Sequence, residues 1–257
     1  MGGALLNGWI ASGLPHLAVV EPSPAPPLRK LARARKISLF RDVGELRTAD
    51  FAACVVALKP QVLRHQAERL HGIAQTGTLM LSIAAGTSLA SLARAWGANA
   101  RIVRAMPNTP GAIGRGISAL FAPRKIDADE RGLAEKLLAG LGEVIWVKSE
   151  DAIDVVTAVS GSGPAYVYLL TEALAAAAQA QGMSRDMADK LARATVSGAG
   201  AMLDADPRAP ALLRRDVTSP GGTTEAALAV LMAPEALTDI IRRAVEAARA
   251  RAAELRQ

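Results

Sequence analysis

Short apolar runs alternate with amphipathic segments along the first half of the chain. The runs that predict strands are HLAVVEP (16–22), ISLF (37–40), FAACVVALKP (51–60), TLMLSIAAG (78–86), RIVRAMPNTP (101–110), GISALFAP (116–123) and EVIWVK (143–148). The segments that predict helices lie at about 2–12, 25–35, 62–74, 88–96 and 127–141. Continuous apolar strands that alternate with helices indicate a parallel sheet buried on both faces.

The second half has a different pattern, because no convincing strand follows Lys148 and long alanine-rich helices take over. In the last helix an apolar stripe at helical spacing is formed by Leu237, Ile240, Ile241, Ala244, Val245 and Ala248. Pro234 is expected in the first turn of that helix. We predict an α/β domain over residues 1–148 and an all-helical domain over 149–257. Alanine side chains bury little area, so we expect subunits to share the helical core.

Composition narrows the function classes. The chain has 257 residues, is 51% hydrophobic and 3% aromatic, and carries a net charge of +6. No basic run is interleaved with aromatic residues, so we expect a solvated basic surface and no nucleic-acid partner. The single cysteine, Cys54, excludes an internal disulfide and is expected to be a small buried apolar residue. His16, His65 and His71 lack the spacing of metal ligands, so no metal site is predicted.

The longest apolar stretch, YVYLLTEALAAAAQAQG, is interrupted by Thr171, Glu172 and Gln179. It predicts a buried helix and not a membrane span. No signal peptide is visible, and we expect a cytoplasmic protein with no membrane contact.

The opening MGGALLNGWI is similar to the closing part of a glycine-rich phosphate loop, with Gly2 and Gly3 at the start of a helix. Glu21, at the end of the next apolar run, lies 19 positions after Gly2, close to the spacing of a ribose-binding carboxylate. The alternative is an ordinary amino-terminal helix followed by a loop glutamate.

Unusual residues follow the other predicted strands, where ligands bind in open α/β sheets. These stretches are ALKPQ (57–61), IAAG (83–86) and AMPNTPG (105–111). Proline and small residues make tight turns there and let a ligand approach the backbone. Lys59 in the first stretch is equally compatible with a solvated loop lysine.

Two stretches of the helical half combine glycine with hydroxyl residues: SGSGPAYVY (160–168), in which Pro164 begins a helix, and VTSPGGTTEAAL (217–228). The second leads directly into a helix whose first N–H groups can bind a carboxylate. The alternative is an ordinary capped turn. The sequence offers no catalytic triad and no carboxylate pair, which fits hydride transfer, in which a cofactor carries the reaction.

Together, VRAMPNTP (103–110), SGSGPAYVY and VTSPGGTTEAAL, with ALKPQ and SIAAG, resemble the motifs of the pyrroline-5-carboxylate reductase family in order and spacing, and the match runs the length of the chain. The resemblance implies an α/β Rossmann-type amino-terminal domain and an all-α dimerisation domain, often within a ring of dimers. It implies NADPH- or NADH-dependent reduction of the C=N bond of 1-pyrroline-5-carboxylate, a cyclic imino acid, to L-proline.

The resemblance also implies the roles of individual residues. The substrate carboxylate would lie on Ser219, Gly221, Gly222 and Thr223, and Thr224 would hydrogen-bond the ring nitrogen. Glu150 and Asp216 match further positions near the substrate. The cofactor would contact Met1, Gly2, Glu21, Ala57, Lys59, Pro60, Ala84, Ala85 and Asn108.

The sequence departs from the family at two places. Glu21 stands where many members have a small polar residue that meets the 2′-phosphate of NADPH. A carboxylate there repels the phosphate and accepts a bond from a free 2′-hydroxyl, so we expect a slight preference for NADH, against which Arg29 and Lys30 argue. Met1 falls on the methionine of the family's G-x-G-x-M-G pattern. We therefore expect the protein to start upstream of Met1, with a first strand and two further glycines before it. If Met1 is the mature amino terminus, we expect poor cofactor binding. Mass spectrometry of the native protein tests this.

Two alternatives remain at this point. The β-hydroxyacid dehydrogenases share the two-domain plan but place a catalytic lysine in the second domain. Lys190 is the only lysine after residue 148 and lacks the expected neighbouring glycine and asparagine. The other alternative is a relic that oligomerises but binds no cofactor, which a nucleotide titration tests.

Overall fold

The computed structural model describes residues 1–46, 51–123 and 126–256. The chain divides into two compact units. The first comprises Met1–Gly161 and the segment that starts at Arg249, and the second comprises Ser162–Ala248.

The first unit contains the α/β elements. Its strands are β1 (Ala18–Val20), β2 (Ser38–Phe40), β3 (Ala53–Val56), β4 (Leu79–Ser82), β5 (Arg101–Met106), β6 (Gly116–Phe121) and β7 (Gly142–Trp146). Its helices are α1 (Gly2–Ala11), α2 (Pro26–Arg33), α3 (Pro60–Gln66), α4 (His71–Gln75), α5 (Leu89–Trp96), α6 (Ala128–Leu138) and α7 (Glu150–Val156). Each predicted strand of this half is confirmed, although the strands are shorter than the apolar runs. The predicted helices are confirmed too, except that the one predicted at about 62–74 is divided into α3 and α4 by a 3₁₀ turn, Ala67–Leu70.

The strands form a parallel pair, β1–β2, and a five-stranded sheet in the order β3-β4-β5-β6-β7. The prediction of a wholly parallel sheet is wrong at one place, because β5 and β6 are antiparallel. Only a short segment with one 3₁₀ turn, Thr109–Ile113, connects them. A parallel crossover needs a dozen or more residues, so this connection reverses the chain.

Apolar layers cover both faces of the larger sheet. On one face, β3 and β4 pack with α3 and α5, and the buried Trp96 donates its indole N–H to the carbonyl of Ala67 at 3.0 Å. On the other face, α1 and α6 cover β4 and β5. Cys54 packs against the first layer, and burial raises the pKa of its thiol to about 11. It packs as a small apolar residue, as expected, but is half-buried and not fully buried.

In the second unit the described residues form helices joined by turns, with no strand. Its helices are α8 (Gly163–Ala180), α9 (Arg185–Ala205), α10 (Pro210–Asp216), α11 (Thr223–Leu231) and α12 (Leu237–Leu255). The last part of α12, from Arg249 onwards, belongs to the first unit. Pro164 lies in the first turn of α8, as predicted. Pro234 does not lie in α12, contrary to prediction, because the next residue, Glu235, has a left-handed φ of +61° that no helix tolerates.

The expectation that α8 is a buried helix is wrong for the single chain. The buried core of the second unit consists of three alanines, Ala175, Ala188 and Ala192. Tyr168 and Leu169 are 60% and 64% exposed. Alanine side chains are too small to cover the larger apolar residues of these helices. By length and composition alone, one helical stretch in the described part of the chain, Glu150–Ala180, is apolar enough to cross a membrane.

The predicted domain boundary at 148/149 lies just after β7, the last strand among the described residues. The compact units divide later, after Gly161, because α7 packs on β5 and β6. The boundary of the functional domains stays a prediction.

Candidate active site

The carboxyl ends of three parallel strands carry most of the predicted cofactor residues. Val56 of β3 is paired with Ser82 of β4, which is paired in turn with Arg104 of β5. The residues that follow these strands therefore emerge at one edge of the sheet. The predicted residues brought to this edge are Ala57, Lys59, Pro60, Ala84, Ala85 and Asn108.

The turns at this edge are built from small or helix-starting residues. Lys59 is the N-cap of α3 and is exposed, and Pro60 occupies the first turn of that helix. Ala84 is buried, with its N–H 3.4 Å from the hydroxyl of Ser82, whereas Ala85 is exposed. The short side chain of the exposed Ala85 leaves the backbone there accessible to a ligand.

The start of α1 lies against the same edge. A Cβ placed on Gly2 would stand 3.0 Å from the Cβ of Ala57, so a larger residue there would require Ala57 to move by a few tenths of an ångström. The carbonyl of Met1 accepts the N–H groups of Ala4 and Leu5 at 2.9 and 3.1 Å, which starts the helix at Gly2. The first N–H groups of a helix lack intrahelical acceptors and favour an anion such as a pyrophosphate. The close approach at Gly2 therefore fits a dinucleotide.

Glu21 directly follows β1, and its N–H donates to the carbonyl of Phe40 at 2.9 Å. Its carboxylate accepts the N–H of Ser23 at 3.0 Å, which holds the side chain on the loop after β1. Arg29 donates from Nε to the carbonyl of Pro24 at 2.9 Å. One carboxylate and one guanidinium therefore flank this loop, where a ribose would lie.

Asn108 is engaged on both sides of its amide. Its Oδ1 accepts the N–H of Ile117 at 3.0 Å, and its Nδ2 donates to the carbonyl of Ser160 at 3.2 Å. The side chain therefore joins the start of β6 to the SGSGP stretch. Gly161 in that stretch lies against Met106, because a Cβ there would stand 2.9 Å from the Cε at the end of that flexible side chain.

Glu150 lies at the start of α7 in the first unit. Its Oε1 accepts the N–H of Leu89 at 2.9 Å and the Nη1 of Arg104 at 2.8 Å. The sequence motifs did not identify Arg104, yet a charged residue inside the apolar run RIVRAM was the available signal. A substrate role for Glu150 stays a prediction, and the structure gives its carboxylate two partners within the protein.

The second unit carries the turn that precedes α11. Gly221 has a left-handed φ of +66°, which glycine adopts without strain, and the N–H of Gly222 donates to the carbonyl of Ser219 at 3.0 Å. Gly222 is the N-cap of α11, and no side chain caps the helix there. The N–H groups of Thr223 and Thr224 point out of the first turn without intrahelical acceptors. The turn can thus receive a carboxylate.

Asp216 is the last residue of α10 and is exposed. Its carboxylate lies 3.0 Å from Nη2 of Arg208, which also contacts Asp206 at 2.7 Å. Bonds to Asp206 and Asp216 raise the pKa of the Arg208 guanidinium. Asp216 is therefore held by a cation of its own unit.

Comparisons with known proteins cover both units. A family described as pyrroline-5-carboxylate reductase dimerisation matches residues 150–255. A pyrroline-5-carboxylate reductase of Vibrio alginolyticus is 35% identical over 98% of this chain and 93% of its own length. One of Pseudomonas aeruginosa is 38% identical over 99% of this chain and 93% of its own length.

Solved structures agree with these relatives. A pyrroline-5-carboxylate reductase of Coxiella burnetii superposes with a TM-score of 0.90 at 36% identity, covering 100% of this chain and 95% of its own. A pyrroline carboxylate reductase of Plasmodium falciparum, solved with NADP bound, gives a TM-score of 0.80 at 27% identity, covering 100% of this chain and 96% of its own.

Proposed function

Because the chain belongs to the pyrroline-5-carboxylate reductase family, we propose that it reduces the C=N bond of 1-pyrroline-5-carboxylate to give L-proline. The observation that carries this proposal is the similarity to these reductases over almost the whole chain, including the strand ends and the turn before α11. The same similarity argues against a β-hydroxyacid dehydrogenase.

The turn before α11 supplies the groups that an imino acid requires. A carboxylate on the turn formed by Ser219, Gly221, Gly222 and Thr223 gains from the N–H group of Thr223, which has no intrahelical acceptor, and from the positive end of the helix dipole. The hydroxyl of Thr224 can accept a hydrogen bond from a protonated imine nitrogen. The same hydroxyl can stay bonded when that nitrogen becomes an amine. We assign Thr224 as the catalytic residue and the turn as the binding site.

No strong general base is required, because a protonated imine is already electrophilic. When held at the sheet edge, a reduced nicotinamide would supply the hydride for the imine carbon, and the proton already on the nitrogen would complete the amine. The protein's contribution is binding and orientation. Gly221 and Gly222 keep the carboxylate end of the substrate fixed while Thr224 fixes the ring nitrogen.

We assign cofactor contact to the residues at the sheet edge and the start of α1: Met1, Gly2, Glu21, Ala57, Lys59, Pro60, Ala84, Ala85 and Asn108. The fit of Gly2 against Ala57 and the short side chains at 84 and 85 support this assignment. Because Glu21 places a carboxylate on the ribose loop, we propose a slight preference for NADH over NADPH. Arg29 of α2, which donates to the carbonyl of Pro24 on that loop, limits the preference.

The chain self-associates through a dimerisation domain, and the exposed apolar side chains of α8 and α12 supply area for the contact. We propose further that dimers assemble into a ring and that the enzyme is cytoplasmic. The helical stretch Glu150–Ala180 lies wholly within the matched dimerisation region. A second subunit therefore explains its apolar face, and we propose no membrane contact.

The direct test is an assay of proline formation from 1-pyrroline-5-carboxylate and NADH or NADPH. The proposal predicts one proline formed for each reduced nicotinamide consumed. If the reduced nicotinamide were not consumed with the imino acid, the proposal would be overturned. Consumption of the nicotinamide with formation of a β-hydroxyacid would also overturn it.

A further inference from the structure

A small cavity of about 120 Å³ lies in the first unit at the carboxyl ends of β4 and β5. Ala85 and Gly86, which follow β4, form one side of it, and Ala252 and Leu255 of α12 form another. Three charged side chains also line it: Arg64, which is exposed, and the buried pair Arg104 and Asp154, at 2% and 3% exposure. Because burying a charge is costly, the side chains of Arg104 and Asp154 need ion-pair or hydrogen-bond partners.

The acidic residues of α7 supply that network. Glu150 accepts both the N–H of Leu89 and the guanidinium of Arg104. Leu89 begins α5 and lies three positions beyond Gly86, so this bond fixes one end of the turn that carries Ala84 and Ala85. The other end is fixed by β4.

The end of α12 reaches the same network. Arg256 donates from Nη1 to Oδ1 of Asp151 at 2.5 Å and lies 3.4 Å from Oδ2 of Asp154. The carbonyl oxygen of Leu255 stands 3.0 Å from the position that a Cβ on Gly86 would occupy, and Gly86 has a left-handed φ of +66°. Leu255 therefore contacts the turn at Gly86, and the next residue, Arg256, pairs with the carboxylates of Asp151 and Asp154.

The buried carboxylate of Asp154 needs a nearby cation, and Arg256 provides one. Asp154 has Arg104 as its other cation, with 4.0 Å between Nη2 and Oδ1. Its Oδ1 accepts no hydrogen bond from the residues that the structure describes. Without Arg256, a buried carboxylate beside the cavity keeps one distant cation, and such a group forces local rearrangement. The nearest backbone able to move is the turn at 84–86.

We propose that Arg256 is a positioning residue, which holds the turn Ala84–Gly86 in its cofactor-binding geometry through Asp151, Asp154 and the adjoining Leu255. The inference rests on the proposed function, because Ala84 and Ala85 are assigned there to the cofactor. Arg256 itself touches no substrate or cofactor in this account.

The test compares R256A and R256K with the wild type, and R251A serves as the matched control. Arg251 lies on α12, five residues before Arg256, is exposed, and pairs with Glu254. Hydrogen exchange of residues 83–92 and the KM for the reduced nicotinamide are measured, together with the KM for the imino acid. Circular dichroism checks that each variant is folded.

We expect R256A to speed exchange at residues 83–92 and to raise the nicotinamide KM roughly 3- to 10-fold, with the imino-acid KM unchanged. R256K keeps the charge, so its exchange rate at residues 83–92 and its nicotinamide KM should be close to those of the wild type. R251A should match the wild type in both measurements. Exchange and KM in R256A equal to wild type would overturn the inference, as would equal changes in R251A. If the wild type lacked reductase activity, the proposed function would fail, while the exchange result would still decide whether Arg256 holds the turn.

Discussion

Glu225 accepts a hydrogen bond from the backbone N–H of Gly221, with 2.7 Å between Oε2 and the nitrogen. The contact closes the turn before α11 with a carboxylate from the third residue of that helix. It resembles half of a capping box, in which a glutamate at this position satisfies a free N–H group. In this turn it also fixes the peptide of Gly221 beside the proposed substrate carboxylate.

Replacing Glu225 tests whether that contact shapes the turn. E225A should raise the KM for the imino acid about 3- to 10-fold with little change in kcat, because a capping bond is worth about 1 kcal/mol. E225Q retains an acceptor oxygen and removes a negative charge near the substrate, so its KM should equal or fall below that of the wild type. Steady-state kinetics measure both.

The matched control is E246A, since Glu246 is exposed on α12 and pairs with Arg242. It should leave both kinetic constants unchanged. An unchanged KM in E225A would show that the contact does not shape the substrate site.

Thr224 should matter through its hydroxyl alone. T224V keeps the shape and removes the acceptor for the imine nitrogen, and should lower kcat/KM roughly 10- to 100-fold, as loss of a hydrogen bond to a charged group does. T224S keeps the hydroxyl and should retain most of the activity. Equal activity of T224V and T224S would contradict the role assigned to this residue.

The cofactor preference should depend on Glu21. The ratio of kcat/KM for NADH to that for NADPH should exceed one in the wild type. E21Q should lower the ratio about 10-fold, because the change removes a like charge near the 2′-phosphate, worth about 1.4 kcal/mol. E45Q changes another exposed glutamate of the first unit and should leave the ratio unchanged. A strong NADPH preference in the wild type would refute this prediction.

The apolar faces of the second unit should hold the dimer. L169E and I240E each place a charge on a side chain that is at least half exposed in the single chain, and should shift the protein to monomers in analytical ultracentrifugation. The control is I113E, at an exposed isoleucine of the 3₁₀ turn in the first unit. Unaltered mass in both helical variants would place the dimer contact elsewhere.

Much of this fold follows from local pattern. The α/β alternation, the helical second half and the turn at 217–228 are visible as periodicity and glycine placement in the sequence. The reversal between β5 and β6 could have been predicted from the short connection around Thr109–Ile113. Glu225 also carried a local signal, since a glutamate at the third position of a helix is a common cap.

The charge network could not be predicted in the same way. Arg104, Glu150 and Arg256 are far apart in sequence and meet only through the sheet and the end of α12. Exposure of α8 was also missed, because an apolar helix has the same periodicity whether its own chain or a second subunit covers it. Such features depend on long-range packing that no sequence window contains.

The most direct test of the central claim is to follow 1-pyrroline-5-carboxylate, reduced nicotinamide and proline together in one reaction with the native protein. The account predicts that proline appears in equal amount to the nicotinamide oxidised, and that T224V slows both to the same extent. Folded, dimeric protein that binds the nicotinamide but forms no proline would contradict it.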